Sequence, residues 1–206
     1  MQGNAFAGGL YKTSEWIMRL AYLNLLWILF SVLGIVVLGF FPATVAMFAI
    51  VRKWIKDDED LPVFTEFLSN YKTEFFRSNL LGLVIIAIGV LLFFDFQLLS
   101  HYSGDFIQIL FYPLLSIAII LLLTLLYLFP AYVHYEVNLF QLVKNSLILM
   151  ILKPISTILM LITTVSWFLI FSWIPALAFF FGGSLLSYLL MQISYAAFMK
   201  VGEARG

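Results

Sequence analysis

His134, Tyr135 and Glu136 stand together in an otherwise apolar stretch. An imidazole and a carboxylate at a membrane boundary can relay protons, with Glu136 and His134 as acid and base. The same three residues also read as an interfacial polar turn after Pro130. Asp95, His101 and Asp105 cluster around one short connection and offer oxygen and imidazole donors for a hard ion or a sugar, although their spacing matches no metal signature. Arg52 and Lys53 precede the run Asp57-Asp58-Glu59-Asp60. That pattern is either a membrane anchor with a solvated acidic turn, or an acidic run that docks a basic partner or neutralises its own basic pair. Gly183 and Ser187 give the small-xxx-small spacing that lets helices pack closely, against this chain or a second copy. Thr163, Thr164 and Ser166 are placed to bond across such a contact.

Other chemistries lack their residues. No Gly-rich phosphate loop, Walker-type lysine or His-Glu-x-x-His helix occurs, and the chain has no cysteine. With only two histidines, read as lying on opposite faces of a membrane, no serine stands out as a nucleophile. The expectation is a protein that is not an enzyme and holds no cofactor or metal.

The composition says what must position these residues. Of 206 residues, 64% are hydrophobic and 11% charged, and the mean hydropathy is +1.07. A soluble domain carries about 45–50% apolar residues and about 25% charged ones, so lipid must solvate most of this chain. Eleven basic residues balance eleven acidic ones, which gives no electrostatic footprint for nucleic acid. The first apolar stretch is too long for a signal-peptide core and reads as a retained membrane helix.

Long apolar runs fall at 20–41, 79–100, 107–129, 154–174 and 176–198, each near the roughly 20 residues that cross hydrocarbon. A shorter run, Ala43 to Val51, follows across Pro42. Because proline suits a first helical turn, Gly39-Phe40-Phe41-Pro42 predicts a turn or kink that opens a new helix. If 43–55 returns across the membrane, every basic residue lies on one side, and the positive-inside rule then puts both termini in the cytoplasm. If it does not return, Lys12 and Arg19 are left outside. Two short echoes, Phe41-Pro42-Ala43 with Phe129-Pro130-Ala131 and Arg77-Ser78-Asn79 with Lys144-Asn145-Ser146, hint at a worn duplication but weigh less than the charge count. An amphipathic helix over 62–77, with Val63, Phe64, Phe67, Leu68, Tyr71 and Phe75 on one stripe, and another from an Asn138 cap should lie in the headgroup region with their aromatic faces in lipid.

The order Asn24-Leu25-Leu26-Trp27, Phe41-Pro42-Ala43-Thr44, Phe48, Arg52-Lys53-Trp54, the acidic turn, the helix 64–76 and Phe129-Pro130-Ala131 resembles the YesL-like family of bacterial integral membrane proteins, a domain of unknown function. Relatives often carry a second Thr after the Pro-Ala-Thr of the turn, which is absent here. The resemblance covers nearly the whole chain and is most specific over 24–77. It implies an accessory role beside carbohydrate uptake, since family genes often neighbour such systems, and it carries over no catalytic or ligand residue.

The chain is therefore expected to be an all-α polytopic bundle of five long membrane helices plus one short helix after Pro42. It forms one domain over 1–206, with a cytoplasmic segment at 1–19 and interfacial segments at 56–78 and 131–153. The expected setting is the bacterial cytoplasmic membrane. Its partners are the lipid bilayer and either a sugar-transporter permease or a second copy. The alternatives are a scaffold or regulator that docks a partner through the 62–77 helix, and an intramembrane enzyme. Pro42, Thr44, Arg52, Lys53, Asp95, His134 and Glu136 are the candidate functional residues, and Gly183 and Ser187 the candidate packing residues.

Overall fold

Hydrocarbon offers no hydrogen-bond partner to a peptide group, so apolar runs of this length fold as helices that satisfy their own backbone. The computed structural model describes residues 2–56, 58, 60–101 and 105–203. Eight helices occur among them: α1 (Gln2–Leu33), α2 (Val37–Ile55), α3 (Val63–Thr73), α4 (Phe75–His101), α5 (Asp105–His134), α6 (Leu139–Leu152), α7 (Pro154–Trp173) and α8 (Pro175–Glu203). All except α3 and α6 contain a stretch long and apolar enough to cross a bilayer. The chain is a polytopic helical bundle.

The first two helices differ from the sequence expectation. Helix α1 already begins at Gln2, within the segment expected to lie ahead of the first helix. The break falls at 34–36 rather than at Gly39-Phe40-Phe41-Pro42, and Pro42 lies inside α2 instead of opening a helix. Two glycines explain the position of the turn. A Cβ on Gly34 would sit 2.4 Å from the Gly39 Cα, and one on Gly39 would sit 2.4 Å from the Ser31 carbonyl, so only glycine lets α1 and α2 close this tightly. The intervening Ile35 and Val36 both take φ near 58°, a region that costs an L-residue about 1–2 kcal/mol each.

Proline inside α2 has a specific remedy. It lacks the N–H that would bond the Leu38 carbonyl four residues back. The Asn79 Nδ2 of α4 donates to that carbonyl at 2.9 Å, and also to its own Phe75 carbonyl at 2.8 Å. One side chain thus replaces the missing backbone donor and ties α4 to α2. Next to it, a Cβ on Gly82 would strike the Phe41 ring at 2.2 Å, so Gly82 provides the seat for that ring.

Helix α2 is the hub. Its span is 61% buried, whereas the other five are between 11% and 28% buried. Ala43, Val45, Ala46, Ile50 and Val51 form its covered faces, and Phe48 stacks on Phe129 of α5 at 5.8 Å. Helix α3 also departs from expectation. The centre of its aromatic stripe packs on protein: Phe67 is fully buried while Phe64 stays 47% exposed, and Phe30 of α1 meets Phe64, Phe67 and Tyr71 at 5.1–6.3 Å. The helix expected over 62–77 divides at Glu74, where α4 begins one residue later. The Asn138 cap does form, its Oδ1 accepting from the Gln141 N–H at 2.9 Å.

Replacing Asn79 with Leu should destabilise the bundle, and less so in a Pro42→Ala background, where the helix regains its own donor. A double-mutant cycle on unfolding in detergent should show a coupling of about 0.6–1.7 kcal/mol. Additive effects would contradict the assignment.

Candidate functional site

Most of the candidate residues lie in two places: the seam between α1, α2 and α8, and the end of the bundle where α2 and α5 terminate. The seam is built around Asn24, which is fully buried. Its Nδ2 donates to the Phe179 carbonyl at 2.7 Å, while its Oδ1 accepts from the Gly183 and Ser184 N–H groups at 2.8 and 3.0 Å. An amide placed this way clasps one turn of α8. Gly183 makes room for it, since a Cβ there would meet the Asn24 Oδ1 at 3.1 Å and the Trp27 ring at 3.2 Å. The close approach expected at Gly183 is therefore made within this chain, against α1. Ser187 is buried, and its hydroxyl donates to the Ser184 carbonyl of its own helix at 2.8 Å. Thr164 likewise bonds within its helix, to the Met160 carbonyl at 2.8 Å.

Thr44 completes the seam. Its hydroxyl donates to the Phe40 carbonyl at 2.7 Å and accepts from the Trp27 Nε1 at 3.1 Å. Pro42 and Thr44 thus act two residues apart in α2, the first opening a carbonyl to α4 and the second bracing α1.

The charged end joins five helices. Lys53 pairs with Glu66 of α3 at 2.6 Å. Arg19 pairs with Glu15 at 2.6 Å and approaches Asp60 at 3.9 Å. Tyr132 of α5 donates to the Glu74 carboxylate at 2.6 Å, and Arg77 lies over the Tyr132 ring at 5.0 Å while donating to the Val137 carbonyl. Tyr71 donates to the Phe30 carbonyl at 3.2 Å, and burial holds its hydroxyl above the usual tyrosine range. The acidic turn is thus partly spent on the chain's own cations, through Asp60; Asp57 and Glu59 lie outside the described residues.

His134 is turned into an aromatic cage of Tyr135, Phe198 and Tyr195, with ring centroids 4.7, 4.5 and 5.8 Å away. Its Nδ1 is buried without a hydrogen-bond partner, as is the Nε of Arg52. Glu136 is exposed on the connection to α6, with no hydrogen bond or ion pair to His134. Asp95 is exposed on α4. The side chains of His101 and Asp105 lie outside what the structure describes.

Asn24, Trp27 and Asn79 carry structural hydrogen bonds that residue-type reasoning did not assign. The readable signal was a side-chain amide inside or beside an apolar run, which hydrocarbon tolerates only when the amide is bonded.

A family model described as a protein of unknown function, DUF624, matches residues 20–96. The chain is 40% identical over 208 residues to the uncharacterized protein YteU of Bacillus subtilis (strain 168), covering 100% of this chain and 92% of that one. It is 36% identical to the uncharacterized protein YesL of the same organism, over 97% of this chain and 94% of the relative. To the uncharacterized protein YesV it is 32% identical, over 93% and 92%. No solved structure matches. The chain belongs to this YesL-like, DUF624 family.

Replacing Gly183 with Leu should push Asn24 and Trp27 off α8 and lower the thermal unfolding temperature in detergent. Asn24→Leu should cost about 1–3 kcal/mol by leaving its α8 partners without the amide. Unchanged melting in both variants would show that the clasp is not formed.

Proposed function

We propose that this YesL-like protein is a non-enzymatic accessory subunit of carbohydrate uptake, seated in the bacterial cytoplasmic membrane with its charged end and both termini in the cytoplasm. The observation that carries this reading is the open side of α4. Its span, Phe75–Leu99, has a mean hydropathy of 2.4 but is only 11% buried by its own chain. Between α4 and α5 lies a cavity of about 210 Å³, lined by Leu81, Ile85, Ile88, Leu121, Leu125 and neighbours. Its one hydroxyl, Thr124, is already bonded to the Ile120 carbonyl at 2.7 Å. An apolar groove of this kind suits a helix of a membrane partner rather than a sugar. The link to carbohydrate uptake comes from the family resemblance, and the orientation from the basic residues Arg19, Arg52, Lys53 and Arg77 gathered at one end.

A Cβ on Gly89 meets nothing within 4 Å, so a bulky probe there should be tolerated at the groove. A photo-crosslinking residue at Gly89 should capture a permease subunit in cells, and deletion of the gene should impair growth on particular oligosaccharides. Capture of lipid alone, with normal growth across a broad sugar panel, would refute the proposal.

A second reading, a scaffold that docks a partner through 62–77, is supported by the exposed Phe76 and Lys72 rather than by the buried Phe67.

A further inference from the structure

The connection between α1 and α2 has no polar residue: from Val32 to Ala43 the sequence is entirely aliphatic, aromatic, Gly or Pro. Val32, Leu33, Ile35, Val36, Val37 and Leu38 are between 50% and 79% exposed there. A turn that emerged into water across the membrane would present this whole apolar surface to solvent, at an unfavourable cost of roughly 25 cal/mol per Å².

Two measures of depth agree. Leu33 lies fourteen residues beyond Arg19, and Val37 lies fifteen before Arg52, which is about 21–22 Å of helix in either arm. Tyr11–Leu33 and Val37–Ile55 are long enough to cross by residue count, but the parts beyond Arg19 and Arg52 fall short of the roughly 30 Å of hydrocarbon even without tilt. The tip is also fastened to α3 and to the first turns of α4. Leu38 is bonded to Asn79, and the Phe30 carbonyl to Tyr71. Lys72 lines one cavity together with Gly34, Ile35 and Leu38. Asn79 is five residues from Glu74 and two from Arg77, the residues that bond Tyr132 and Val137 at the polar end of α5. The base of the same hairpin is held by Lys53–Glu66. Helix α3 and the first turns of α4 therefore run beside α2 from its base to its tip. Charged residues cannot follow α2 across hydrocarbon without a large cost.

We propose that the α1–α2 hairpin is re-entrant: it enters the bilayer from the face that holds Arg19 and Lys53, and its tip rests among lipid acyl chains without reaching water on the other side. The tip is a lipid-contacting surface. Four helices, α4, α5, α7 and α8, then cross the membrane, and the two termini stay on one side. The inference does not depend on the accessory role proposed above.

Because the chain has no cysteine, single cysteines report cleanly. Leu33→Cys and Val37→Cys lie in regular helix on either side of the turn, with Ser103→Cys between α4 and α5 as the comparison. In intact cells a membrane-impermeant maleimide should label Ser103→Cys and leave both tip variants unlabelled. In vesicles of phosphatidylcholine and phosphatidylglycerol, a bimane attached at either tip site should be quenched several-fold more by lipids brominated on the acyl chain than by aqueous iodide. Labelling of either tip variant from outside, or stronger quenching by iodide, would overturn the proposal.

Discussion

A carbonyl without a donor inside hydrocarbon costs several kcal/mol, and the arrangement of this bundle depends on how that cost is met at Leu38. Pro42 leaves that carbonyl open, and Asn79 closes it from α4. The bond does more than cancel a defect. It ties the first turns of α4 to the first turn of α2, one turn before Gly82 seats the Phe41 ring. A proline with its remedy on another helix acts as a specific join, because the amide has one place where it is needed.

The same logic recurs at the other side of the hub. Asn24 joins α1 to α8 through three hydrogen bonds to backbone groups, while Trp27 and Thr44 join α1 to α2. The buried polar side chains of the seam bind the chain to itself. The helices around α2 are thus joined to it by side-chain hydrogen bonds, whereas α4 leaves most of its apolar surface uncovered by its own chain, with only 11% of its span buried. This contrast between a locked end and an open apolar flank is what an accessory subunit would use.

Much of this was legible in the sequence, for physical reasons that differ by region. The runs at 79–100, 107–129, 154–174 and 176–198 became α4, α5, α7 and α8 within a few residues, because length and apolarity alone determine a membrane helix. The Asn138–Gln141 cap was legible because capping is local. The break between α1 and α2 was not. Proline is the customary mark of a break, and Pro42 drew the boundary toward itself. What cancels its effect is Asn79, thirty-seven residues downstream and invisible to any local rule. The true turn rests on Gly34 and Gly39, whose role appears only when two helices approach. The stripe on α3 was read correctly as a stripe, but the neighbour of its centre proved to be Phe30 of α1 rather than lipid. Among the candidate residues, Thr44, Lys53 and Gly183 acquired defined structural partners, whereas His134 and Glu136 were not brought together.

The central claim, that α2 is completed by a side chain from α4, can be measured directly in a bilayer. With ¹⁵N-labelled asparagine side chains and ¹³C-labelled leucine carbonyls, solid-state dipolar recoupling reads the distance from the Asn79 Nδ2 to the Leu38 carbonyl carbon. A hydrogen bond predicts about 4 Å for that pair, with the signal lost in Asn79→Leu. A separation beyond about 6 Å, with the bundle intact, would contradict the account.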